Sequence, residues 1–326
     1  MPTRHLTEPS RKLRRLANYG DPAATAVKAS LSQREPSESN LGWMLIGPAI
    51  LVVLGLNLYP MLYSFWISLQ RVDLLGGPSS FAGFVNYTLL LQDPVVIMAI
   101  LRTGYFTVAS LVLQTAIGLM IALVLNEQFP GRGFVRALVF VPWAMPTIAN
   151  ATLWQWIYHP NYGVLSSVLF DLDVVSGPVQ WLANPYLVMN MVVLADSWKT
   201  VPFYAVMFLA AMQGIPDELY EAAAIDGAGR WRQFCAVTLP FLKPMLLIVL
   251  VLRTMETLRV FDIIYVLTGG GPGGATTVMG WIAYLQAFQN LDFSAGAAAA
   301  NLIVVGAILI AWFYTRILRG SALEDS

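Results

Sequence analysis

Polar and apolar positions in this chain fall into long blocks. Predominantly apolar stretches of about 20 residues recur along it, and that is the length a helix needs to cross the hydrocarbon core of a bilayer. Four stretches are nearly free of charge: Gly42 to Leu69, Thr103 to Leu125, Ala137 to Ile157 and Phe293 to Tyr314. Two more carry charges: Tyr186 to Ala211, with Asp196 and Lys199, and Leu246 to Leu267, with Arg253, Glu256, Arg259 and Asp262. The pattern predicts six spanning helices.

Composition supports the bilayer as the solvent of this chain. Of its 326 residues, 57% are hydrophobic and only 12% are charged, whereas soluble domains average about 25% charged residues. One soluble core cannot hide so much apolar surface. We therefore expect an all-α membrane protein.

The Lys and Arg residues alternate between the two sides of the predicted helices. They concentrate in the tail before the first span, in the loops after the second and fourth spans, and after the sixth: Arg4, Arg11, Lys12, Arg14, Arg15, Lys28, Arg34, Arg132, Arg136, Arg230, Arg232, Lys243, Arg316 and Arg319. Basic residues favour the cytoplasmic side. Both termini are thus predicted to be cytoplasmic, which requires an even number of spans.

This reading divides the chain into three parts. Residues 1–40, rich in Ser, Pro, Arg and Glu, form a cytoplasmic tail that is disordered or loosely membrane-associated. Residues 41–70 form the first transmembrane helix, and 95–318 the remaining membrane core.

Residue types argue against chemistry within the chain. Two histidines and one cysteine make a metal centre improbable, and one cysteine cannot form an internal disulfide. The glycine cluster around Gly269 lacks the Lys of a phosphate-binding loop and follows a helix at the outer side, so it reads as a turn-rich loop. No nucleotide or other cofactor is expected in this chain.

The loop between the fourth and fifth spans is the most informative segment. Pro216 and Asp217 suit a helix start, Glu218 and the alanines that follow favour a helix, and Gly227 can end it. The sequence predicts a short cytoplasmic helix at about 216–229 whose small side chains allow another protein to approach closely.

The same loop carries a long motif with fixed spacing. It consists of Glu-Ala-Ala, three residues, Gly, nine residues, an aliphatic residue, one residue and Leu-Pro, at Glu221, Ala222, Ala223, Gly227, Val237, Leu239 and Pro240. The motif resembles that of ABC importer permeases, with Val237 in place of the commoner Ile. The segments 198–203, 259–262 and 265–272 look like the carbohydrate branch of that family, specifically its first permease of the MalF or UgpA type.

This resemblance implies a type I importer fold and a coupling role for the loop. Partners would be a second homologous permease, two ATPase subunits that bind ATP and Mg, an extracytoplasmic solute-binding protein and membrane lipid, with no nucleic acid. The chain would be a non-catalytic, multi-pass subunit of a prokaryotic plasma (inner) membrane. The ATPase-coupling residues would be Glu221, Ala222, Ala223, Asp226, Gly227, Leu239 and Pro240.

The resemblance also suggests a solute path. The sugar site of the maltose permease, carried over residue by residue, falls on Lys199, Thr200, Phe203, Arg253, Glu256, Thr257 and Val260. The last four also share one helical face by their spacing. The charges have a second interpretation as ion pairs that hold or gate the bundle: Arg253 with Glu256, Arg259 with Asp262, and Asp196 with Lys199.

Three alternatives to a sugar permease stay open at this point. An ABC permease for an amino acid, peptide or ion would share the coupling loop. A secondary transporter could also place charges midway across the membrane, although six spans without detectable halves argue against it. A membrane-bound enzyme would need a convergent acid, base or metal set, which the sequence does not offer.

Overall fold

The computed structural model describes residues 38–72 and 79–324, with side chains described over 42–72 and 79–316. The predicted tail lies, up to residue 37, outside the described residues. The chain divides into two compact units, with the boundary in the sequence between Leu62 and Tyr63.

Helices make up nearly all regular structure in the described residues. They are α1 Glu38–Ser68, α2 Val85–Gln92, α3 Pro94–Asn126, α4 Arg132–Phe140, α5 Thr147–Ile157, α6 Val164–Asp171, α7 Val188–Met212, α8 Asp217–Ile225, α9 Arg230–Gln233, α10 Leu239–Leu258, α11 Asp262–Leu267, α12 Met279–Tyr284 and α13 Phe293–Glu324. Two π-helical turns, Phe234–Thr238 and Leu285–Gln289, continue α9 and α12. An addition to the predicted all-α fold is one antiparallel pair of two-residue strands, β1 Gln70–Arg71 and β2 Ser80–Phe81.

Five helices of the described part are long and apolar enough to cross a membrane: Gly42–Ser68, Pro94–Asn126, Val188–Met212, Arg230–Leu258 and Phe293–Arg316. They correspond to the first, second, fourth, fifth and sixth predicted spans. The helical membrane architecture expected from the sequence is therefore present.

The third predicted span, 137–157, is not one continuous helix. It is divided between α4 and α5, with irregular backbone between Phe140 and Thr147. Pro142 and Pro146 account for the break, since a proline lacks the N–H for the helical ladder and disfavours the helical region for the residue before it. Pro146 caps the start of α5 with an extended backbone.

The fifth span also has different limits from those predicted. Its helix starts at Arg230, passes through the π turn and ends at Leu258, whereas the sequence predicts 246–267. The chain then turns between Arg259 and Phe261. This turn packs tightly against α12, because the position that a Cβ on Gly280 would occupy lies 2.5 Å from the Val260 carbonyl oxygen.

The core of the second unit is built on the contact between α3 and α7. Gly118 lets the two backbones approach, since a Cβ there would lie 2.4 Å from the Cβ of Tyr204. Two buried apolar clusters follow one another along these helices. One contains Phe106 and Val193, and the other contains Ala122 and Phe208 together with α10 residues.

Candidate functional site

The short helix predicted in the loop before the fifth span is α8. Pro216 precedes it with an extended backbone, and Asp217 and Glu218 occupy its first turn. Their negative charges stabilise the helix there, because they lie at the positive end of the helix dipole. None of its residues is buried. The helix thus presents most of its surface outward.

Gly227 ends α8 with a left-handed backbone of φ +75°. Its N–H donates to the Ala224 carbonyl at 3.0 Å, and the Ala228 N–H donates to the Ala223 carbonyl at 2.9 Å. These two bonds form a Schellman cap, which satisfies the last carbonyls of the helix. This cap needs positive φ at the residue directly after the C-cap, which is Gly227. The Gly of the sequence motif is therefore explained by backbone conformation.

The other motif residues lie on different faces of this segment. Glu221 lines an open cavity of about 460 Å³ between α8, α9 and the end of α3, while Ala222 and Asp226 are exposed and Ala223 is half-buried. Leu239 is half-buried and Pro240 exposed at the start of α10.

Two further features of the segment were not predicted. A hydrogen bond of 2.9 Å between the Tyr220 and Thr238 hydroxyls fastens α8 to the π turn before α10. Two large apolar side chains, Ile225 and Trp231, stand 87% and 76% exposed beside the helix end. These two side chains leave apolar surface available beside the charged helix end.

The charges within the spans are gathered around Arg253 of α10. Its Nη2 donates to Oδ2 of Asp196 on α7, its Nη1 donates to Oε2 of Glu256 at 2.8 Å, and its Nε donates to Oε1 of Gln114 on α3 at 3.0 Å. The Gln114 amide nitrogen in turn donates to Asp196 at 3.0 Å and to the Ser197 hydroxyl at 3.3 Å. A charge at membrane depth needs such partners.

This polar cluster, defined as Gln114, Asp196, Arg253 and Glu256, joins three helices between the two apolar clusters. Sequence spacing correctly indicated the Arg253–Glu256 pair but offered Lys199 as a partner of Asp196. The Lys199 Nζ instead donates to the Thr147 hydroxyl at 3.1 Å. No ion pair joins Arg259 and Asp262 within the described residues. The sequence analysis did not identify Gln114. The available signal was that Gln114 is the single amide side chain in a span without charges, Thr103 to Leu125.

The predicted path residues separate into two groups. Phe203, Arg253 and Glu256 line an open cavity of about 470 Å³, together with Leu252, Met255, Arg259, Ile303, Val304 and Ala307. Lys199, Thr200, Thr257 and Val260 are not in its lining. Thr257 is 1% exposed and its hydroxyl donates to backbone carbonyls of its own helix, while the Thr200 hydroxyl donates to the Asp196 carbonyl.

The described residues contain no cluster of three or more His, Cys, Asp or Glu side chains that could hold a metal ion. The cavity beside Glu256 is lined by an aromatic ring, a carboxylate and two guanidinium groups, of which that of Arg253 already donates to three side chains. Such a set can bind hydroxyl-bearing or charged molecules.

Comparison with known proteins identifies the family of this chain. Residues 114–321 match the family described as binding-protein-dependent transport system inner membrane component. The chain is 43% identical, over 86% of its length and 95% of the relative's, to the trehalose/maltose transport system permease protein MalF of Thermococcus litoralis. It is 33% identical, over 92% of its length and 95% of the relative's, to the trehalose transport system permease protein SugA of Mycobacterium tuberculosis.

A solved structure agrees in fold. A chain of the bacterial alginate ABC transporter, crystallised with an alginate pentasaccharide-bound periplasmic protein, superposes with a TM-score of 0.75 at 26% identity and covers 86% of this chain and 94% of its own. The family match covers more than half of the chain, and the relatives match over nearly their whole length. The chain therefore belongs to the binding-protein-dependent transport system inner membrane components, as the non-catalytic permease subunit of an ABC importer.

Proposed function

We propose that this permease forms half of the path for a neutral sugar or oligosaccharide. The observation that carries the proposal is the cavity in which the Phe203 ring, the Glu256 carboxylate and the Arg259 guanidinium come together. An aromatic face packs against the C–H face of a sugar ring, and charged groups hydrogen-bond its hydroxyls. Relatives whose names state trehalose or maltose support the same solute class.

The cavity is open, and we infer that a second permease subunit closes it. We infer that the partner complex also includes two ATPase subunits and an extracytoplasmic binding protein that delivers the solute. The alginate transporter structure, which includes a periplasmic protein, supports a delivery step of that kind. Localisation in the inner membrane with both termini in the cytoplasm completes the proposal and rests on the distribution of Lys and Arg.

The exposed helix α8 is proposed to dock on one ATPase subunit. Ala222 and the prominent Ile225 and Trp231 side chains offer the contact surface, and the Schellman cap at Gly227 fixes its shape. Glu221 lines the cavity between α8, α9 and the end of α3. We infer that it contributes there to holding α8 against the rest of the permease. Because the Tyr220–Thr238 bond links α8 to the helix that carries Arg253, movement of the docked helix is transmitted directly to α10.

Reconstitution tests the proposed solute class. The permease, its partner permease, the ATPase and the binding protein are placed in proteoliposomes, and ATP-dependent uptake of radiolabelled trehalose and maltose is compared with uptake of methionine. We expect saturable uptake of a sugar that requires the binding protein, and none of methionine. Uptake of methionine without sugar uptake would assign the chain to another solute class.

A further inference from the structure

The two groups of opposite charge nearest to the proposed solute cavity differ sharply in exposure. The Arg253 side chain is 10% exposed, whereas that of Glu256 is 55% exposed. Three of the Arg253 N–H groups already donate to Asp196, Glu256 and Gln114. An enclosed guanidinium with these bonds is poorly placed to meet a solute, while the carboxylate beside it is well placed.

The contact between Arg253 and Glu256 uses only one side of the carboxylate. Arg253 Nη1 donates to Oε2 at 2.8 Å, and among the described residues no donor reaches Oε1. An ionised carboxylate accepts hydrogen bonds and donates none. Because Glu256 lines the cavity, Oε1 is available there as an acceptor for hydroxyl groups, and hydrogen bonds to a charged acceptor are roughly twice as strong as neutral ones.

Asp196 and Gln114 explain why this geometry holds. Asp196 supplies the buried charge that balances Arg253, so Glu256 is not drawn fully onto the guanidinium. Gln114 bridges the pair, because its carbonyl accepts from Arg253 Nε and its amide donates to Asp196 Oδ2, both at 3.0 Å. Gln114 is fully buried, which leaves the amide with no competing water.

We propose that Asp196 and Gln114 are positioning residues that act through Arg253. They hold the Glu256 carboxylate against the cavity, where it accepts hydrogen bonds from hydroxyl groups of a neutral sugar, and Arg253 itself makes no solute contact. This inference rests on the proposed function and deepens it by adding two residues of α3 and α7 that never touch the solute.

A double-mutant cycle tests the proposal in the reconstituted importer, with trehalose and maltose uptake as the measurement. Asp196→Asn keeps an acceptor for Arg253 but leaves Glu256 as the sole carboxylate on the guanidinium, which pulls it away from the cavity. We expect Asp196→Asn and Glu256→Gln each to raise the apparent KM about tenfold with Vmax within about twofold. The double variant should raise it about tenfold as well, since both act on one contact.

Two further variants keep the test decisive. Gln114→Met keeps all the charges and a similar side-chain volume. It replaces Asp196→Asn in the double-mutant cycle with Glu256→Gln if Asp196→Asn lowers the yield of the assembled importer. Thr254→Val is the matched control, because Thr254 is 2% exposed on the same helix and its hydroxyl bonds only to Leu250 and Tyr314. It removes a buried polar group without touching Arg253, and its KM should stay unchanged.

The outcomes separate the two proposals. A KM increase of about a hundredfold in the double variant, the product of the single effects, would show that Asp196 acts independently of Glu256 and overturn this inference alone. An unchanged KM in Glu256→Gln would also overturn it. Failure of the unaltered importer to take up either sugar would overturn the proposed function and this inference together.

Discussion

Asp196 and Arg253, 57 residues apart in the chain, form an ion pair whose side chains are only 11% and 10% exposed. One lies on α7 and the other on α10, so the pair joins two of the helices that are long enough to span a membrane. Gln114 adds α3 as a third. The central charges of this permease are thus held by partners within the chain itself.

Breaking this pair from one side should destabilise the protein. Asp196→Ala leaves a buried guanidinium with less compensation, which costs roughly 3–5 kcal/mol in buried pairs. We expect a clear fall in the thermal unfolding temperature of the purified permease in detergent. The double variant Asp196→Leu/Arg253→Met, which removes both charges, should recover much of the loss. Equal stability of all three proteins would contradict the structural role of the pair.

The close approach of α3 and α7 gives a second stability prediction. Gly118→Ala places a Cβ 2.4 Å from that of Tyr204, a backbone-proximal atom that cannot swing aside, and overpacking of this kind costs roughly 1–3 kcal/mol. Gly104→Ala on the same helix has nothing within 4 Å of the new Cβ and serves as the control. Thermal unfolding should be lowered in the first variant only; similar unfolding temperatures would count against the packing described.

Gly227 and Gly229 lie two residues apart, but their backbone φ angles have opposite signs. An L-residue at Gly227, with φ +75°, is strained by about 1–2 kcal/mol, whereas Gly229 has φ −68° and accepts alanine without strain. We expect Gly227→Leu to abolish uptake while membrane insertion stays normal, and Gly229→Ala to keep uptake. Co-purification of the ATPase subunit measures docking. Normal uptake by Gly227→Leu would remove the coupling assignment.

Accessibility distinguishes two neighbouring path residues that the sequence placed on one face. Single cysteines at Glu256 and Thr257, in a Cys235→Ser background because Cys235 is exposed, should react very differently with a water-soluble maleimide. The Glu256 side chain is 55% exposed and Thr257 is 1% exposed. Rapid labelling at 256 and slow labelling at 257 is the expected result. The reverse order would place the cavity on another face of α10.

Orientation can be tested in intact cells. A C-terminal tag should be inaccessible to an antibody until the membrane is permeabilised, because Arg316 and the basic loops favour the cytoplasm. A single cysteine replacing the exposed Asn290, between α12 and α13, should react with a membrane-impermeant maleimide from outside. An accessible C-terminal tag would reject the predicted arrangement of termini.

The sequence by itself determined the membrane class, the positions of most spans, the family and the presence of the short helix α8. These properties are local. Apolar block length identifies a span without knowledge of its neighbours, and Gly227 signals a helix end through its own backbone freedom. The predicted limits of the third and fifth spans were wrong. Prolines at 142 and 146 break the third, which hydropathy alone reads as continuous, and the helix of the fifth runs from Arg230 to Leu258 instead of 246–267.

Only the tertiary structure decided which charges meet. Spacing along a helix reveals partners three or four residues away, so it found Glu256 for Arg253 and suggested Lys199 for Asp196. The partners Asp196 and Gln114 lie 57 and 139 residues from Arg253 and approach it only when α3, α7 and α10 pack together. That same packing turns the Thr257 hydroxyl inward and leaves the Glu256 carboxylate at the cavity, because the rotation of each helix is set by its neighbours.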